Sequence, residues 1–292
     1  MIGVTATIAA AAIGTIVAAG GSTMGLTAAQ EQELAARIAA GVRPSMIRLN
    51  DVAIEDYKRR PGEADANEFL VIRKEGEATI TLADRGFTMR NLQVGGGPGP
   101  NAIFIGFSGG AHCCYTAHLI WIEGRLRHQE IELRDSQLKV VPISGPPQLH
   151  FYDFAFAEWN ASFADSPAPQ VILSYDFRRG EYVADAAAMR QTAPDAASLQ
   201  LRAAEIRKAY DGLRPGDLDP VLWAGMLEMI YAGNAASARA LLDAAWPPER
   251  PGKDAFLADF TKQLWRGITW RRFELGRVLG AAEAFPAPAE TR

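Results

Sequence analysis

Two adjacent cysteines, a histidine and a glycine-framed serine share one run of this chain, Ile103-Phe104-Ile105-Gly106-Phe107-Ser108-Gly109-Gly110-Ala111-His112-Cys113-Cys114-Tyr115. Four chemistries fit these residue types. The first is a serine nucleophile, because Gly106-Phe107-Ser108-Gly109-Gly110 satisfies the Gly-x-Ser-x-Gly elbow pattern after an apolar strand. No histidine precedes Ser108, so the order of trypsin-like enzymes is excluded, whereas Ser108, Asp135 and His150 follow the hydrolase order of serine, acid and base. The elbow also needs a helix directly after the serine, and the chain from Ala111 onward reads as strand instead. The second chemistry is a metal or redox centre at His112, Cys113, Cys114 and His118, with His128 and His150 on other strands as alternatives. Neighbouring cysteines on a strand point to opposite faces, so one thiol plus one or two imidazoles is the most such a site offers, a set suited to copper or zinc. The third is a vicinal disulfide. Adjacent Cα atoms lie ~3.8 Å apart, below the usual disulfide span of ~4.4–6.8 Å, so a Cys113–Cys114 bridge is strained and easily reduced. The fourth is a purely structural turn, in which Gly106, Ser108, Gly109 and Gly110 bend the strand sharply and nothing reacts. Order and spacing favour the last two.

The elements around this run are short strands. Phe69–Ile72, Ala78–Leu82, Ala102–Ile105, Tyr115–Ile122, Leu126–Leu133, Leu138–Ile143, Leu149–Ala157 and Gln170–Phe177 are rich in β-branched or aromatic residues and bounded by Gly, Asp or Pro. Glu123-Gly124 marks a hairpin between two of them. Successive strands without intervening helices predict an antiparallel β domain over residues 67–190, as a meander, barrel or curved sheet. Upstream, Thr27-Ala28-Ala29-Gln30 is a capping box that opens a short helix with Leu34 and Ile38 on its apolar face, within a helix-and-connector segment over 27–66. Downstream, a helical domain is expected over 191–283. Leu199, Ala203, Ile206 and Tyr210 share one stripe, and Asp219-Pro220 starts a helical hairpin carrying Trp223, Leu227 and Ile230, then Ala238, Leu241 and Leu242. One long amphipathic helix is predicted over 254–279, with Phe256, Phe260, Leu264 and Ile268 as its stripe. Residues 284–292 read as a disordered tail. The fold class is therefore α+β.

The first thirty residues hold no charged side chain, and Ile2–Gly20 is an apolar run with small residues at Ala18-Ala19-Gly20. Residues 1–26 accordingly read as an export signal or membrane anchor, which places the protein in the periplasm or outside the cell. The formal net charge of −4 argues against a nucleic-acid partner. Gly95–Pro100 lacks the lysine and helix of a phosphate-binding loop, and no cofactor is expected. Between Lys253 and Arg277 six basic and three acidic side chains interleave with Trp265 and Trp270. That pattern makes the 254–279 helix, together with residues 2–20, a candidate for membrane contact. The aromatic run Phe151, Tyr152, Phe154, Phe156, Trp159 and Phe163 reads as core in preference to a carbohydrate groove, and Asp153 with Glu158 mimics a glycosidase pair only at a separation that is ubiquitous among acids.

The run Ser108-Gly109-Gly110-Ala111-His112-Cys113-Cys114 resembles a signature of exported bacterial proteins, some of them related to FG-GAP-type β-repeats. The likeness extends loosely over Phe69–Val183, including Asp153-Phe154-Ala155-Phe156 and Pro169–Leu173. It implies a β-rich exported protein and transfers no activity. The alternating acidic calcium loop of FG-GAP repeats has no counterpart here, and there are too few strands for a full propeller. The leading expectation is a non-enzymatic envelope protein that binds a partner protein or an envelope polymer through its glycine-rich loops and helical hairpin. The metal or redox site and the Ser108 hydrolase stand as its alternatives.

Overall fold

A computed structural model describes residues 26–60, 62–63, 65–91, 99–109, 114–211, 213 and 218–289. The expected export segment up to Gly25, most of the Gly95–Pro100 loop, and Gly110, Ala111, His112 and Cys113 lie outside them. Among the described residues no helix is long and apolar enough to cross a membrane. The chain forms three antiparallel four-stranded sheets over residues 45–184, followed by helices over 186–278, so the α+β class holds. Its compact units meet between Gly86 and Phe87. This is a different cut from the compositional one, which separates strand-rich from helix-rich chain near residue 190.

In the first unit α1 (Ala28–Ala39) opens on the expected box, with the Thr27 hydroxyl accepting from the Gln30 N–H. The strands β1 (Ser45–Leu49), β2 (Val52–Tyr57), β3 (Glu68–Lys74) and β4 (Ile80–Asp84) pair in sequence order. The β1–β2 hairpin falls within the helix-and-connector segment, ahead of the strands expected from residue 67. Its signal is the tight Asn50-Asp51 turn, with Asn50 at φ 55 and Leu49 opposite Val52. Leu34, Tyr57, Phe69 and Val71 form one apolar cluster of this unit, and Val52, Ile54, Leu70 and Ile72 are buried as well. Ile38, expected on the same face as Leu34, is 50% exposed.

The second unit holds two sheets. One is β5 (Phe87–Asn91), β6 (Ala102–Phe107), β7 (Tyr115–Glu123) and β8 (Arg125–Arg134), paired in that order. The other runs β12 (Glu181–Ala184), β11 (Gln170–Asp176), β10 (Gln148–Tyr152), β9 (Lys139–Val141). Helices α2 (Ala186–Met189), α3 (Ala196–Ala209), α4 (Pro220–Tyr231), α5 (Ala235–Ala245), α6 (Lys253–Arg266), α7 (Ile268–Arg272) and α8 (Leu275–Val278) follow. Strand alternation sends Ala117, Leu119 and Trp121 of β7 and Ile131 and Leu133 of β8 to one side, where they join Leu149, Phe151, Val171 and Leu173 in a single core with Trp223, Leu227 and Trp270. Trp159, half-buried, packs against that core, its ring centroid 5.1 Å from Phe156, 5.4 Å from Trp223 and 5.9 Å from Phe256. Apolar burial of this kind contributes about 25 cal/mol per Å².

The α4–α5 hairpin stands as expected, with Asp219 capping the Val221 N–H and Pro220 at the first turn. The single helix expected over 254–279 is corrected to three. Gly267 ends α6, and a Cβ there would lie 3.1 Å from both the Ala155 Cβ and the Leu264 carbonyl, so any larger residue would force its neighbours to shift. The break rotates Ile268 out of the stripe, leaving it 49% exposed while Phe256, Phe260 and Leu264 stay buried. Trp270 is fully buried and the Trp265 Nε1–H donates to the Phe285 carbonyl at 2.9 Å, so both tryptophans serve the interior. Phe285, placed in the tail by composition, is itself buried.

Candidate functional site

The opening motif lies at one end of the β5–β8 sheet, at the neck of the loop joining β6 to β7. Register places Phe107 opposite Tyr115, and Tyr115 opposite Arg134. Ser108, Cys114 and Asp135 therefore gather at the same sheet end, where a register shift between Tyr115 and Thr116 marks a β-bulge. Two bonds close the loop neck. The Ser108 N–H donates to the Cys114 carbonyl at 3.0 Å, and the Ser108 hydroxyl donates to the same oxygen at 3.3 Å. Gly109 has φ 97, and Cys114 has φ 89, a conformation that costs a residue with a Cβ on the order of 1–2 kcal/mol. Both described residues flanking the inner loop, Gly109 and Cys114, thus hold positive φ.

Of the other residues of the catalytic reading, Asp135 shares this sheet end and His150 lies on a different sheet. His150 belongs to the second sheet of the unit, opposite Lys139 and Ile172, and its Nε2 lies 3.3 Å from the Gln148 Oε1. Burial, then the Lys139 charge, lowers its pKa. Among the described hydrogen bonds none joins Ser108, Asp135 and His150. Nor does the structure bring Cys114 to His118. With β7 extended from Tyr115, roughly 10 Å of strand separates them, too far for one metal ion at bond lengths of about 2.0–2.3 Å. Among the described residues no group of three His, Cys, Asp or Glu is arranged to hold a metal. No free cysteine is found among them either.

His118 instead meets His128. The two face the same side of the sheet from neighbouring strands, with Nδ1 of His118 3.2 Å from Nε2 of His128 and the rings stacked 5.4 Å apart. Phe87 adds an edge contact to His118 at 6.0 Å. Burial, then the charge on His128 when it protonates, lowers His118 to about 3. Burial and then Arg272 lower His128 to about 4. Both imidazoles are neutral at physiological pH, so one donates and the other accepts. Glu130, opposite His118, is raised by burial, with Arg272 opposing.

A second buried polar centre escaped the sequence reading. Asp153 is 4% exposed, and its carboxylate accepts from the Tyr231 hydroxyl at 2.6 Å and the Ala155 N–H at 2.9 Å. Burial raises the Asp153 pKa, opposed by those two hydrogen bonds and by Arg134, and the Tyr231 hydroxyl is raised well above its usual value. Glu158, its partner in the glycosidase reading, is exposed at φ 60 with its N–H bonded to Ser166 Oγ. The signal for this centre is a lone acid inside the aromatic run Phe151-Tyr152-Asp153-Phe154, since an isolated carboxylate in apolar chain must find a donor.

No protein-family model, curated protein or solved structure matches the chain.

Proposed function

We propose that this is an exported envelope protein that binds a partner protein or an envelope polymer without catalysing a reaction, and that Cys113 and Cys114 form a vicinal disulfide fixing the loop between β6 and β7. The observation that carries this reading is the double commitment of Ser108, whose N–H and O–H both go to the Cys114 carbonyl. A serine bonded in this way holds a loop, and an activated nucleophile is bonded to a base instead. The positive φ of Cys114 suits a chain bent by bridging adjacent sulfurs, and the chain contains two cysteines in all.

Two measurements test this. Intact mass of protein extracted from the envelope under alkylating conditions should show no alkylated cysteine before reduction and two after it. Alkylation of both cysteines before reduction would remove the disulfide from the proposal. Wild type should take up no fluorophosphonate label. Ser108→Ala should cost about 1 kcal/mol of stability, the usual net worth of one hydrogen bond between neutral groups. Stoichiometric labelling of wild type that Ser108→Ala abolishes would establish the hydrolase instead. For binding itself, a photo-crosslinking residue at position 109 should give a discrete adduct in envelope fractions, and a smear or no adduct counts against it.

A further inference from the structure

The sheet β12–β11–β10–β9 is left incomplete beside a cleft, and the backbone parity of β11 defines what can complete it. The Asp153 N–H donates to the Pro169 carbonyl, and the Asp185 N–H donates to the Ile172 carbonyl. In an antiparallel ladder, hydrogen-bonded and non-hydrogen-bonded pairs alternate. Odd-numbered residues of β11 therefore bond toward β10 and even-numbered ones toward β12. Gln170, opposite Tyr152, turns its N–H and C=O to the β12 side. There β12 has already ended, because its pairing stops at Ala184 opposite Leu173 and the chain enters α2. By this parity Gln170 has no ladder partner on that side, and none of the described loop hydrogen bonds takes the backbone of Ala168. Prolines at 167 and 169 hold the residues before them extended, and Ser166 has φ −75 and ψ 130.

This open edge borders a cleft of about 330 Å³ whose lining includes Ala168, Gln170, Met189, Ala224, Leu227 and Tyr231. The volume falls at the small end of ligand sites, enough for one or two apolar side chains. Among its lining residues the sole charged side chain is Glu228, which is paired with Arg202. No cation lines the cleft to receive an acidic group.

We infer that the cleft between β11, α2 and α4 is a peptide site, taking a short extended segment without acidic side chains that pairs with Ala168 and Gln170 as an added strand and places an apolar side chain over Leu227 and Met189. This inference rests on the reading of the protein as a binding protein and names the class of its partner. Backbone pairing supplies affinity in this mode and the cleft supplies selectivity.

The probe is an array of nine-residue peptides alternating apolar residues with Ser or Thr, a matched array containing Asp, and a third N-methylated at alternate amides. Members of the first array should bind wild type, and those of the other two should bind at least about tenfold more weakly. Gln170→Pro, which removes the edge N–H, and Ala224→Phe, which fills the cleft, should each weaken binding about tenfold or more while urea unfolding shows both variants folded. The Gln170 amide should become protected from hydrogen exchange when a binding peptide is added. Equal binding of the N-methylated array, no binding by any array, or unchanged affinity in folded Ala224→Phe overturns the peptide site. A discrete envelope adduct that persists in Ala224→Phe leaves the binding reading standing while the cleft fails. Absence of both adduct and peptide binding overturns both.

Discussion

Tyr231→Phe is expected to lower the unfolding free energy by about 2–3 kcal/mol, the range for losing a hydrogen bond to a charged or buried acceptor. The hydroxyl lies 2.6 Å from Asp153 Oδ2, in a place 4% exposed, and the second oxygen is held by the Ala155 N–H. Phenylalanine fills the same space and leaves Oδ2 without that donor, so the cost is electrostatic and not a cavity. The pH dependence distinguishes this from a packing effect. Asp153 has a folded pKa above its ordinary 3.8, so its contribution to stability is fully present below that value and is lost as pH rises through the raised one. Asp153→Asn, which can accept from Ala155 and donate to Tyr231, should remove that decline. Urea unfolding of the three proteins between about pH 4 and pH 7 measures both effects. A Tyr231→Phe loss under about 0.5 kcal/mol, or an Asp153→Asn profile parallel to wild type, would show that this centre does not carry the stability assigned to it.

What the sequence disclosed and what it concealed follow from the range of each interaction. Local rules located the capping box at Thr27, the Glu123-Gly124 hairpin and the Asp219-Pro220 helix start, because caps and turns are decided within four residues. The break at Gly267 was concealed, since periodicity runs on through it. One of the two closest contacts that crowd a side chain there is the Ala155 Cβ, more than a hundred residues away. The β1–β2 hairpin was missed because its first strand is largely exposed and shows no apolar alternation. The candidate site divides the same way. The positive φ at Gly109 is of the kind glycine spacing suggests, whereas the lone acid at Asp153 signals only that a donor is needed and not that it is Tyr231, 78 residues away. His118 and His128 were both noticed as ligands, but their facing each other depends on the β7–β8 register, with His128 opposite Ile120 and one position diagonal to His118.

That diagonal pairing gives the chain its largest expected response to acid. Each histidine is held neutral in the fold, with pKa values lowered from 6.5 to about 3 for His118 and about 4 for His128. The unfolded chain takes up protons near 6.5, so the stability these residues contribute is present above that pH and is lost as pH falls toward the folded values. The loss approaches about 1.4 kcal/mol per pH unit for each histidine, or on the order of 4–5 kcal/mol for the pair by about pH 4.5. That is comparable with the whole stability of many proteins, about 5–15 kcal/mol. Glu130 opposes this trend, because its raised pKa favours the fold at low pH, and Arg272 disfavours a proton on His128 throughout. His128→Gln keeps a polar partner for His118 Nδ1 while removing one titrating group. It should therefore reduce the slope of unfolding free energy against pH by about one proton between about pH 6.5 and 4.5. The histidine proton resonances give an independent reading, since two of the four residues should show no titration above about pH 5. A wild-type slope retained in His128→Gln, or a His118 resonance that titrates near 6.5, would mean that the pair is open to water and that acid sensitivity must originate elsewhere in the chain.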